Sequence, residues 1–235
     1  MVIDQNMRKK ITGISSMATR QVLAELVEDY ERLSGCTVVI ESVGGLVAAK
    51  RVQEDEQFDI VVLAADAIDR LAVAGQVDPA SRVDLARSGV AIAVAAGAPR
   101  PAIGSEAAVR DAILAARSIG YSTGPSGSHL SRLFERWGIA ETIAARTVQA
   151  PPGVPVGTLV ACGDVELGFQ QLSELMHLPG IDVIGSLPSE IQIITVFSAA
   201  ICTASRQKDA SRALLSFLAS PEAGSAKLRH GMEPA

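Results

Sequence analysis

KITGISSMATRQVLAELVEDYERLSGCTVVI, residues 10–40, is the stretch that decides the fold. Lys10 to Ile14 is a short strand-like run, and Ser15-Ser16 follows it. Val22, Leu23, Leu26, Val27, Tyr30 and Leu33 then recur at helical spacing. Gly35 supplies the stop that such a helix needs, and Cys36 to Ile40 opens a second apolar strand. Strand, helix and strand in quick succession are the repeating unit of a sheet built with crossover helices.

The alternation continues outward. Ser42-Val43-Gly44-Gly45 leads into a helix carrying Leu46, Val47 and Val52. Phe58 to Leu63 reads as a fully buried strand, and a helix from about Asp66 to Ala74 ends at Gly75. A strand from Val90 to Ala96 runs into the breaker-rich Gly97-Ala98-Pro99-Arg100-Pro101, where the chain is expected to cross to a second lobe. Residues 105–190 then carry a set of their own. It comprises a helix from Ser105 to Arg117, a strand near Ile119-Gly120-Tyr121, and a Gly/Ser loop into a helix from Leu130 to Trp137. A strand near Val148, a short helix from Val156 to Cys162, and strands near Leu167-Gly168-Phe169 and Ile181 to Ile184 complete it. Ile191 to Ala204 returns the chain to the first lobe, where Ala210 to Leu218 and Pro221 to Leu228 finish as helices.

The expected fold is therefore α/β with two lobes, each a mostly parallel sheet flanked by helices, joined by two crossing strands. Residues 1–90 with 195–235 form lobe one and residues 91–194 lobe two, with a ligand cleft between them.

Composition narrows the function. With 48% hydrophobic and 20% charged residues, the 235-residue chain can bury a sizeable core, which excludes disorder. Its net charge is −5 and its basic residues are scattered, so it lacks the Lys/Arg stripe that phosphate-backbone binding requires, and no nucleic-acid partner is expected. Cys36, Cys162 and Cys202 lie far apart in apolar stretches and read as buried free thiols rather than a disulfide or zinc framework. His177 and His230 lack metal-ligand spacing, so no metal and no cofactor is expected. The start MVIDQNMRKK, with its basic Arg8, Lys9 and Lys10, meets a strand instead of an apolar signal core, and no apolar run reaches a membrane span. The chain as written is expected to be cytoplasmic, or periplasmic if a signal peptide has been removed.

Four strand-to-helix turns gather the small hydroxyl and glycine residues: Ser15-Ser16, Ser42 to Gly45, Ser122 to Ser128, and Gly153 to Gly157. In α/β sheets such turns lie at the carboxyl ends of strands, where ligands bind. Each offers a helix N-terminus whose backbone N–H groups hold an anion without a charged side chain. Any one of them could equally be an ordinary cap or tight turn; the four together point to an anion site. Tyr121-Ser122-Thr123-Gly124-Pro125-Ser126-Gly127-Ser128-His129 is the richest, with five hydroxyls and two glycines, yet it lacks the lysine of a nucleotide-hydrolysing loop.

His129 is either a general acid or base beside that site or a first-turn helical residue facing solvent. Arg132, one turn on, could grip a carboxylate or pair with Glu135. Gln171 offers an amide donor and a carbonyl acceptor, suited to neutral recognition of an oxyanion or a carboxylic acid. Glu174 is a candidate base or a solvated carboxylate.

Ile14-Ser15-Ser16-Met17, the helix end Tyr30-Glu31-Arg32-Leu33-Ser34-Gly35, Val38-Val39-Ile40 before Gly44-Gly45, Phe58 to Val62 with Ala65-Asp66, and Gly163-Asp164-Val165-Glu166-Leu167-Gly168 resemble the molybdate-binding family of type II periplasmic binding proteins. The resemblance implies ligand contacts from Ser15 or Ser16, from Gly44 or its neighbours such as Ser42 and Gly45, and from Ser126, Val156 and Gln171, with Thr123 and Ser128 of the Gly/Ser loop as further candidates. It departs where Val43-Gly44-Gly45 stands for serines and Gln171 for a tyrosine. The run Gly168-Phe169-Gln170-Gln171 is instead similar to the branch that includes aconitate isomerase, which moves a double bond in a tricarboxylic acid.

Two functions follow as expectations. One is binding of a small oxyanion or organic carboxylate. The other is cofactor-free isomerisation of an unsaturated carboxylic acid, with His129 or Glu174 as base. A ligand-sensing regulatory domain ranks third.

Overall fold

A computed structural model describes residues 10–235, so the start of the chain, with Arg8 and Lys9 and the signal-peptide reading drawn from them, lies outside the described residues. The elements in chain order are β1 (Lys10–Ser16), α1 (Arg20–Ser34), β2 (Thr37–Val43), α2 (Gly45–Gln53), β3 (Ile60–Ala64), α3 (Ala65–Val73) and β4 (Val83–Ala95). Then come α4 (Glu106–Ala115), β5 (Ile119–Tyr121), α5 (Pro125–Arg136), α6 (Ala140–Ile143), β6 (Thr147–Gln149), α7 (Val156–Ala161), β7 (Leu167–Gln171), α8 (Leu172–Leu175) and β8 (Ile181–Ser186). The chain closes with β9 (Ile194–Ile201), α9 (Lys208–Leu218), α10 (Gly224–Arg229) and the short β10 (Glu233–Pro234).

Two compact units divide these elements: residues up to Ala86 together with Val196–Ala235, and Arg87–Thr195. In the first, β1 is flanked by β2 and β3 in parallel, and β9 runs antiparallel to β3. Alternation along β1 sends Ile11 to the face covered by α1, α9 and α10, and Ile14 to the face covered by α2 and α3. Gly13 is needed at the centre, because a Cβ there would sit 2.8 Å from Ile60 and 3.3 Å from Ile40. Helix α1 ends as expected, with Gly35 at φ +69° donating to Glu31.

In the second unit β5 lies between β6 and β7 in parallel, while β4 runs antiparallel to both β7 and β8. Val109, Ile113, Leu130, Phe134 and Ile143 cover one face of this sheet, and Val156, Val160 and Leu175 the other. Both sheets are thus mixed, with the parallel βα portions that the sequence showed and antiparallel strands beside them.

Several boundaries differ from the sequence reading for local reasons. The change of unit falls inside β4, between Ala86 and Arg87, whereas Gly97-Ala98-Pro99-Arg100-Pro101 forms the turn leading to α4 within the second unit. Helix α5 begins at Pro125, not near Leu130, because proline is preorganised for the first helical position. Ser126, Ser128 and His129 are therefore helical residues. A 3-10 turn at Pro221–Ala223 precedes α10, so the last helix is split. The three thiols are free, but only Cys202 is buried, and Cys162 is exposed just after α7. Among the described residues no helix is long and apolar enough to cross a membrane.

Candidate functional site

In the first unit the parallel register of β1 and β2 sets Ser15 opposite Ser42, and their hydroxyls lie 2.8 Å apart. Ser15 is fully buried. Ser16, also buried, lends its carbonyl to the Thr19 hydroxyl at 3.1 Å, while its own Oγ has no partner in the protein. Beside it, α2 begins with Gly44 as its N-cap and no side chain satisfying its first N–H groups. The approach is close, since a Cβ on Gly45 would stand 3.7 Å from that of Ser16. A buried hydroxyl without a partner costs about 1–3 kcal/mol. Ser16 lies beside the positive end of α2, an arrangement suited to an anion's oxygen.

The second unit holds the other candidates. At the start of α5 the Ser122 and Ser126 hydroxyls are 3.2 Å apart, and Ser122 also accepts from Gly124 N–H at 3.3 Å. Ser126 is buried, Thr123 half-buried, and Ser128 and His129 exposed. The helix can start this close to the strand only because residue 127 is glycine, whose Cβ would fall 1.7 Å from the Ser122 carbonyl oxygen. Arg132 has no ion-pair partner among the described residues.

Strand β7 is buried throughout and ends in two glutamines whose side chains leave on opposite faces. Gln171 donates Nε2–H to Thr195 Oγ1 at 2.7 Å, and its Oε1 is buried without a partner in the protein. Gln170 uses both ends. Its Oε1 accepts from Val156 N–H at 2.7 Å, and its Nε2 donates to Glu174 Oε1 at 2.8 Å. Val156 was expected among the ligand contacts, and in this arrangement its N–H is taken by Gln170.

Glu174 keeps some exposed surface as a residue, but protein surrounds its carboxyl. Loss of hydration pushes the carboxyl up to about 7, with the Gln170 hydrogen bond opposing in part. A carboxyl that titrates near neutrality can take and return a proton. No group of three or more His, Cys, Asp or Glu that could hold a metal occurs among the described residues.

Sequence reasoning passed over Gln170, Ser173 and Thr195. Ser173 Oγ is a further buried atom without a partner, one residue from Glu174. The available signal was the pair of amides in a strand otherwise built from apolar residues and glycine.

The family model described as "bacterial extracellular solute-binding protein" matches residues 11–233. The chain belongs to that family. This solute-binding protein is 38% identical over 230 residues to an aconitate isomerase from a Pseudomonas species, a match covering 95% of the chain and 87% of that enzyme. Among solved structures it is similar to the periplasmic molybdate-binding protein of Azotobacter vinelandii, with TM-score 0.78 and 19% identity over 94% of this chain and 98% of that one. The sulfate-binding protein of Mycobacterium tuberculosis also gives TM-score 0.78, at 14% identity over 97% and 87% of the two chains. At these identities the structural likeness is one of fold: the two-lobed α/β fold of the periplasmic binding proteins.

Proposed function

We propose that this solute-binding protein takes a small organic carboxylate and holds it with neutral hydrogen-bonding groups. The observation that carries the reading is Gln171, a buried side-chain amide anchored at one end by Thr195 and unpaired at the other. Thr195 can donate or accept, so the amide can turn over and present either its carbonyl to an acid O–H or its N–H to a carboxylate oxygen. Within the same unit, the buried Ser126 hydroxyl at the start of α5 is a further neutral donor. Thermal-shift titration with citrate, cis-aconitate, trans-aconitate, molybdate and sulfate tests this, since a ligand that binds only the folded state raises its melting temperature. The carboxylates are expected to raise it. Stabilisation by the tetrahedral oxyanions alone refutes the reading.

A second reading, that the protein isomerises aconitate, is favoured by Glu174 together with the 38% identical relative. In its ionised form Glu174 would remove a proton from the CH2 beside a carboxylate. The electron pair moves through the C=C toward the carboxylate on the far carbon, and the proton returns to the former vinyl carbon. Atoms and charge balance without a cofactor. Donors at the helix starts would bear the charge that grows on the carboxylate. His129 is exposed on α5 and has weaker support as the base. Proton NMR of cis- and trans-aconitate incubated with the protein reads the activity directly, and no interconversion above the Glu174→Gln background rejects it.

A further inference from the structure

We infer that Gln170 is a positioning residue for Glu174: anchored at its carbonyl by the backbone N–H of Val156, its side-chain amide can offer the Glu174 carboxyl only donors. The argument is one of hydrogen-bond polarity. A backbone N–H donates and never accepts, so whatever atom stands 2.7 Å from Val156 N must be an acceptor. That fixes Oε1 toward α7 and sends Nε2 toward Glu174, where it lies 2.8 Å from Oε1 of the carboxyl. Gln170 is 2% exposed, leaving water little access to compete for either end.

The anchor is itself rigid. The Val156 side chain is fully buried, and one of its methyls lies against both Gly120 and Gly168, where a Cβ would come within 3.1 Å. Those two glycines let α7 settle onto β5 and β7 closely enough for its first N–H to reach a side chain of the strand. Sequence separation hides the link, since Val156, Gln170 and Glu174 reach one another only through this packing.

Among the described residues, the elements that carry this contact hold no second charge. Helix α7 and strand β7 carry no ionisable side chain, and α8 carries none besides Glu174. Asp182 on β8 is engaged with Gly97 N–H and Arg100, and His177 is exposed beyond α8. Two opposed effects therefore act on the carboxyl: burial, which raises its pKa, and the Gln170 donor, which lowers it. Gln170 thus keeps the ionised form accessible at neutral pH.

The test follows Glu174 by 13C NMR of labelled glutamate in the protein without added ligand, with the resonance assigned through Glu174→Gln. Gln170→Leu removes the donor at similar volume. Its expected effect is an upward move of the Glu174 titration by about one pH unit, a tenfold gain in proton affinity. Val156→Pro removes the anchoring N–H and exchanges the buried valine methyls for a proline ring, at a first helical position that accepts proline. The freed amide can then turn its carbonyl to Glu174, so this titration is also expected to move up. A titration unchanged in Gln170→Leu overturns the inference, as does a downward move in Val156→Pro. If Gln170→Leu fails to fold, Val156→Pro decides alone. The functional consequence, an alkaline shift of the activity profile, rests on the isomerase reading. The titration itself does not, so a wild-type protein inert toward aconitate refutes that reading and leaves this test in force.

Discussion

Replacing Glu174 with glutamine tests whether the protein bears the cost of a carboxyl held away from water. In the folded state the group titrates at about 7, against 4.5 for an unburied glutamate. The folded protein therefore binds this proton more tightly than the unfolded chain. Its contribution to stability is fully present below about pH 4.5 and is lost as pH rises toward about 7. At ~1.4 kcal/mol per pH unit the loss amounts to about 3 kcal/mol across that window and then levels off. Glutamine keeps the volume and still offers Gln170 Nε2 an acceptor, but it has no proton to lose. Urea denaturation of both proteins at pH 4.5, 5.5, 6.5 and 7.5 should show the variant gaining on the wild type by about 3 kcal/mol over the series. A difference that stays constant with pH refutes the burial argument and removes the physical basis for Glu174 as a proton-transfer group.

Three further substitutions probe the surroundings. Thr195→Val strands Gln171 Nε2 in a buried position, which should cost about 1–3 kcal/mol in denaturation and weaken binding of any carboxylate that stabilises the wild type. Gly127→Ala forces a Cβ to within 1.7 Å of the Ser122 carbonyl oxygen, so the start of α5 must shift. A loss of about 3 kcal/mol or more is expected, read as a lower melting temperature, with Gly138→Ala on the open left-handed turn after α5 as the milder comparison. Asp59→Asn alters an acceptor serving Thr12 N–H, Thr12 Oγ1 and Ser205 Oγ. It should destabilise the protein by about 2 kcal/mol in denaturant while leaving the Glu174 titration untouched, because Asp59 belongs to the other unit.

What the sequence made legible was whatever is written in short-range spacing. The period of α1 and its glycine stop at Gly35 are local facts, and both stand in the structure as read. Proline at position 125 was local too. Read as a helix start instead of a loop residue, it would have put Ser126 and Ser128 on α5 and favoured the solvent-facing reading of His129. Other features needed packing that no window of residues contains. Ser16 Oγ is buried without a partner beside the start of α2, and Val156 gives up its N–H because two glycines admit α7 to the sheet. The glutamine pair lies between these cases. Adjacent residues of a strand must face opposite ways, so Gln170 and Gln171 could never have served one surface together. Once β7 is recognised as a strand, that parity assigns them separate tasks: Gln170 joins α7 to Glu174, and Gln171 keeps an unpaired end supported by Thr195. A ligand that engages Gln171 therefore leaves the support of Glu174 intact, so Thr195→Val and Gln170→Leu should separate, the first acting on affinity and the second on protonation.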